Sequence, residues 1–219
     1  MQDYVIYMGM VLEATPVNDY DRRVVILTKE CGKITAFCRG ARRQNNKMMA
    51  VTNPFTFGKY KLIEGKNAYN LIDAEVSFYF EELRTDFVGA YLGMYFLEFT
   101  SYCTKENNDD CEMLKLLFQS IRAIIKENID NRLVKAVFEI KAIAVNGEYP
   151  GIPGDRSFLA DTLRALDFIV GTPVEHLYTF SVSEEVLSEL SYLGEIYRKR
   201  LIDRNFKSLE LVENCMLKI

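Results

Sequence analysis

Eight basic side chains crowd one short stretch of the chain: Arg22, Arg23, Lys29, Lys33, Arg39, Arg42, Arg43 and Lys47. Five are arginines, whose planar fork matches a phosphate bidentately. From Arg22 to Lys66 there are eleven Lys or Arg against two acids, Glu30 and Glu64, a net +9. The 219-residue chain carries only −4, so the remainder carries −13. A basic segment on an acidic chain predicts an anion-binding face, and nucleic acid is the leading anion. A hairpin turn centred on Cys31-Gly32 would place Arg39 beside Val24. Arg22 and Arg23 would then lie near Gly40 and the loop up to Lys47, with no acid among the five arginines. Phe37, Phe55, Phe57 and Tyr60 are interleaved with these charges. They would stack bases if exposed and fill a core if not.

Other chemistries find little material. The single histidine, His176, has no neighbouring motif, which argues against a Ser-His-Asp or Cys-His hydrolase. Cysteines at 31, 38, 103, 111 and 215 lack zinc-knuckle spacing and read as reduced thiols. Neither GxxxxGK[ST] nor GxGxxG occurs. The expectation is no enzyme, no catalytic residue, no cofactor and no metal.

Several elements must position the basic residues. Tyr4 to Leu12, Arg22 to Lys29, Lys33 to Arg39, Phe55 to Ile63 and Tyr69 to Ser77 read as strands. Five strands in so short a stretch predict a small closed barrel of OB or SH3-like type. After residue 80 the apolar period becomes helical. Helices are expected from Asp86 to Cys103, around Leu114 to Ile125, around Leu133 to Val145, and from Ser157 to Val170. A further helix carries Val186 to Leu201, opened by a capping box between Ser181 and Glu184, and a short one runs from Ser208 to Met216. Residues 105–110 read as a solvated loop and 147–157 as a Gly- and Pro-rich connection. The predicted class is α+β: an OB domain over 1–79 and a helical domain over 80–219. The longest apolar run, Phe87 to Leu97, is too short to span a membrane. The N-terminal MQDYVIYMGM shows no secretory signal, so the expected compartment is the cytoplasm.

The string TKECGKITAFCRGARR at 28–43 resembles the N-terminal signature of the RecO family of bacterial recombination mediators. GMVLEATPVNDYDRRVVILT (9–28), NPF (53–55), FEIKAIAVNGEYP (138–150) and SLELV (208–212) are similar in the same order. The resemblance implies an OB domain followed by a helical domain. It implies binding of single- and double-stranded DNA, annealing of complementary strands and, with RecR, loading of RecA onto DNA coated by single-strand-binding protein. Carried onto this chain, the DNA-contact residues are the eight cations named above. The resemblance also implies a site for the coating protein's acidic, apolar C-terminal tail, mapped to Arg132, Leu133, Lys135, Val137, Phe138 and Lys141. Many relatives carry a four-cysteine zinc site after the FEIK-like helix. Residues 147–175 here contain no cysteine, so the zinc site is expected to be absent and its place taken by packing. Two other readings remain: a general OB-type nucleic-acid binder with a helical protein-interaction domain, and an adaptor whose basic face docks an acidic protein.

Overall fold

The computed structural model describes residues 3–154 and 156–216. The chain divides into two units, Met1–Glu82 with Leu97–Leu114, and Leu83–Phe96 with Lys115–Ile219.

In the first unit five strands close a barrel: β1 (Val5–Val17), β2 (Asp21–Thr28), β3 (Gly32–Cys38), β4 (Phe57–Ile63) and β5 (Tyr69–Phe78). Their order is β1-β2-β3-β5-β4, returning to β1. Every pairing is antiparallel except the short parallel seam between β3 and β5. This is the OB arrangement, with no SH3-like alternative left, and closure removes the exposed sheet edges. β1 is long because it serves two partners, β4 along its first half and β2 along its second, with a bulge between Val11 and Glu13. Val24, Ile26, Ile34, Ala36, Tyr60 and Leu62 fill the interior. A single-turn helix that the sequence pattern did not announce, α1 (Met48–Val51), plugs one end with Met48 and Val51.

The β2–β3 register differs from the expected one. Pairs run from Thr28↔Gly32 to Arg22↔Cys38, so the turn centres on Glu30 rather than Cys31-Gly32. Thr28 causes the tighter turn. Its hydroxyl donates to the Gly32 carbonyl (2.8 Å) and accepts from the Cys31 N–H (3.1 Å). Gly32 closes the turn at φ +62, where a Cβ would meet the Lys105 and Asn108 carbonyls at 2.6 Å. Val24 therefore pairs with Ala36, and Arg39 lies beyond Cys38, toward Asp21.

Segment 105–110 is an exposed loop over 105–109, as expected, but it is tied to the β2–β3 turn. The Lys33 N–H donates to the Lys105 carbonyl and the Asn107 N–H to the Cys31 carbonyl, both at 3.1 Å. The segment thus adds a strip of backbone to the turn, and Asp110 is buried.

After the barrel the described chain is helical, with residues 97–114 counted in the first unit and the rest in the second. α2 (Phe87–Cys103) begins where the Asp86 carboxylate accepts from the Gly89 N–H (2.9 Å), as the sequence predicts. α3 (Cys111–Ile124) and α4 (Asn131–Val145) follow, the latter capped by Asp130. Then come α5 (Ala160–Gly171), α6 (Glu184–Leu201) and α7 (Lys207–Met216). α4 is the central helix, buried almost continuously from Leu133 to Ile143. α5 starts later than Ser157 because Glu189 of α6 caps it, accepting from the Leu159 N–H (3.0 Å) and the Thr162 hydroxyl (2.6 Å). The expected Ser181–Glu184 capping box is absent. Ser183 is the cap, accepting from Val186, and position N3 is an apolar valine with no carboxylate to return the bond.

The connection after α4 is held by α6. The Tyr197 hydroxyl donates to the Gly151 carbonyl (2.9 Å) and its ring meets Tyr149 edge-on. Among the described residues no group of His, Cys, Asp and Glu could hold a metal ion. None of the helices there is long and apolar enough to cross a membrane.

Candidate nucleic-acid interface

Two connections meet at one end of the barrel: the β1–β2 turn (18–20) and the loop from Gly40 to Lys47. The loop is built from successive turns. Gly40 N–H donates to Asp21 Oδ1 (2.7 Å), Arg43 N–H to the Gly40 carbonyl (3.0 Å), and the Asn46 side-chain amide to that same carbonyl (2.8 Å). Arg42 joins it to the β1–β2 turn. Its N–H donates to the Tyr20 carbonyl (2.8 Å), and its guanidinium reaches the Asn18 and Asp19 carbonyls at 3.3 Å. Arg43 lies over the exposed Tyr20 ring, 5.3 Å from its centroid. Arg39 is exposed and makes no ion pair or side-chain hydrogen bond among the described residues. Lys47 is exposed and pairs with Asp73 of β5 at 2.8 Å. That ammonium holds the Asp73 carboxyl below its usual range.

The eight predicted cations do not form one site. Arg39, Arg42, Arg43 and Lys47 gather on the loop. Arg23 stands beside them on the outer side of β2, 3.5 Å from Glu13. Arg22 is structural: one guanidinium nitrogen donates to the Met49 backbone carbonyl, the Thr52 hydroxyl and the Asn53 side-chain Oδ1 at 2.9–3.0 Å. It ties β2 to α1. Lys29 and Lys33 lie at the opposite end of the hairpin, about 20 Å away by strand rise. Lys29 is exposed there, whereas Lys33 donates its ammonium to the Ser101 carbonyl, and burial lowers its pKa. Three acids stand among these cations where the sequence predicts none: Asp21, Glu13 and Asp73.

Of the four aromatics expected near the charges, Tyr60 is wholly buried, Phe55 and Phe57 are half-buried, and Phe37 is exposed on the outer face of β3. Tyr20 was missed; its place in a turn beside Asn18 and Asp19 was the available signal. On the same outer face Val25 and Leu27 of β2 are buried, so the reachable part of that face is the end around Phe37.

A groove of about 430 Å³ opens at this end, where β3 and β5 part. The strands pair only at Ala36↔Tyr69 and Phe37↔Asn70. Beyond that seam Phe37, Ile63 and Ile72 wall the groove, with Met48, Asn70 and Arg39 also lining it.

The α4 residues expected for tail binding are engaged inside the second unit. Leu133, Val137 and Phe138 are buried, and Phe138 stacks on Phe96 with centroids 3.9 Å apart. Lys141 donates to the Val170 and Thr172 carbonyls at 2.8 and 2.7 Å, capping the C-terminus of α5. Lys135 pairs with the fully buried Glu139 at 3.1 Å. Glu139 also accepts from the Tyr95 hydroxyl (2.5 Å) and faces Arg198 (3.4 Å). Arg132 alone is well exposed, and it is held by Asp130 and Glu184.

Family models agree with this architecture. "Recombination protein O N terminal" matches residues 1–80, and "Recombination protein O C terminal" matches 84–152. The chain belongs to the RecO family. Its relatives span it nearly end to end. A DNA repair protein RecO of Acetivibrio thermocellus is 23% identical over 96% of this chain and 97% of its own length. That of Clostridium novyi is 23% identical, covering 93% and 91%. That of Alkaliphilus metalliredigens is 30% identical over 65% of this chain and 58% of its own. Within this RecO-family chain the signature string covers the end of β2, the turn, β3 and most of the basic loop. The FEIK residues belong to the core of the second unit. The segment after α4 carries no thiol, and the Tyr197 hydroxyl holds it at the Gly151 carbonyl.

Proposed function

We propose that this chain is a DNA repair and recombination mediator that binds DNA through the Arg39–Lys47 end of its OB barrel. In this reading it anneals complementary strands and, with RecR, helps load RecA onto DNA coated by single-strand-binding protein. The observation that carries it is the gathering of Arg39, Arg42, Arg43 and Lys47 on one stretch of an OB barrel of the RecO family, with Arg39 lining an open groove. Annealing needs phosphates neutralised so that two polyanions can approach, and bases left able to pair. A sequence-independent basic face supplies both. No bond is made or broken, so the activity is not enzymatic, and it takes place in the cytoplasm. Because the α4 residues are buried or paired, we infer that any contact with the coating protein's tail lies off that helix.

The test is the annealing rate of two complementary strands, each coated with the cognate single-strand-binding protein, with and without this chain. Acceleration that disappears when the coating protein's C-terminal tail is deleted supports the mediator reading. Binding of bare DNA without acceleration supports the general OB-type binder with a different protein partner.

A further inference from the structure

We infer that the groove between β3 and β5 receives an unstacked base of single-stranded DNA, so that this end of the barrel contacts bases as well as phosphates. The inference rests on the DNA-binding reading above and adds a ligand class to it.

The chemistry of the groove suits a nucleobase. Its walls, Phe37 and Ile72, are large apolar side chains that are 37% and 43% exposed. Exposed apolar surface of this kind beside four cations stays soluble yet is costly to leave wet. A base has two apolar faces and a polar edge. Phe37 can cover a face, and base–aromatic stacking tolerates any sequence. Asn70 lies in the lining, and its side-chain amide has no hydrogen-bond partner among the described residues. Such an amide can donate to and accept from a base edge.

Charge selects the occupant. Arg39 is at the rim with no partner, and the loop carrying Arg42, Arg43 and Lys47 follows directly in the chain. An apolar peptide would leave Arg39, Arg42 and Arg43 without counter-charge, Lys47 alone having Asp73. A strand whose phosphates run along the loop and whose base turns into the groove satisfies both. The volume, about 430 Å³, falls within the usual range for small-molecule sites. A duplex keeps its bases stacked and paired, so it meets the phosphate contacts alone.

The experiment compares three ligands of equal phosphate count: a single-stranded oligothymidine, the same oligomer with abasic sites, and a duplex. Binding to the full chain is followed by fluorescence anisotropy at several salt concentrations, for the wild type, Phe37→Ala and Asn70→Ala. Wild-type affinity is expected to fall about 5- to 100-fold on removal of the bases, with the salt dependence unchanged. Phe37→Ala should lose most of that difference while binding the duplex as before. Equal wild-type affinity for normal and abasic strands overturns the base pocket and leaves the basic loop standing. Loss of duplex binding in Phe37→Ala, with the fold intact by thermal melting, also overturns it. A changed sedimentation coefficient in Phe37→Ala, with no effect on DNA, would give the groove to a protein contact instead. If the wild type binds none of the three, the DNA-binding reading itself has failed.

Discussion

At the scale of single residues, the arginines separate into Arg22, which holds the barrel to α1, and the exposed Arg39, Arg42 and Arg43. Arg42→Ala combined with Arg43→Ala should weaken DNA binding for every sequence. The slope of log affinity against log salt on single strands should drop by about 1.4, roughly 0.7 per lost phosphate contact. Stability should fall by only about 1–2 kcal/mol, the worth of exposed contacts to Asn18, Asp19 and the Tyr20 ring, with the barrel still folded. Arg22→Ala should do the reverse. It leaves three acceptors on α1 and the residues after it without their donor, at about 1–3 kcal/mol in a urea melt. Asp73→Ala should tighten DNA binding, most visibly at low salt, by releasing Lys47. The split was invisible in the sequence because Arg22 and Arg23 are neighbours of one type. Strand alternation sends one toward α1 and the other outward, and only the register decides which. That register turned on Thr28, whose side-chain hydrogen bonds shifted the turn.

At the scale of elements, the strands and helices were legible because apolar period and turn residues agree along most of the chain. α1 was not, since one turn is too short for a period. The purpose of α4 was also hidden. Its Leu133, Val137 and Phe138 look like a partner-binding stripe until apolar residues on every side show the helix to be central. Lys141 and Glu139 then look like surface charges, yet each is a buried connection. Lys141→Met should remove two charge-assisted bonds to the end of α5 and lower stability by about 1.5–3 kcal/mol, read from the urea midpoint. Gly194 of α6 is where Glu139 fits, since a Cβ there would stand 2.8 Å from the carboxylate. Gly194→Ala should therefore destabilise, against helix propensity, by about 1–3 kcal/mol. A thermal melt at or above the wild-type midpoint would contradict that placement.

At the scale of the whole molecule, burial makes stability sensitive to alkali. Cys38 is pushed from 9.0 up to about 11, and burial raises Tyr60, Tyr95, Tyr178 and Tyr197 above their ordinary 10.0. The unfolded chain releases these protons from about pH 9 to 10 while the folded chain keeps them, so folding stability falls as pH rises. The contribution is complete below pH 9. For Cys38 it is lost between about 9 and 11, at up to about 1.4 kcal/mol per pH unit. The urea midpoint should drop between pH 8 and pH 10.5, and an unchanged midpoint would mean these groups reach water. The backbone strip on the β2–β3 turn matters on a different axis, time. The five strands are complete once Phe78 has been synthesised, but the partners of Cys31 and Lys33 arrive only after α2. Until residues 101–107 follow, the hairpin tip lacks the backbone partners of Cys31 and Lys33, and the Lys33 ammonium lacks the Ser101 carbonyl. A chain cut after the fifth strand would leave those groups to water for good.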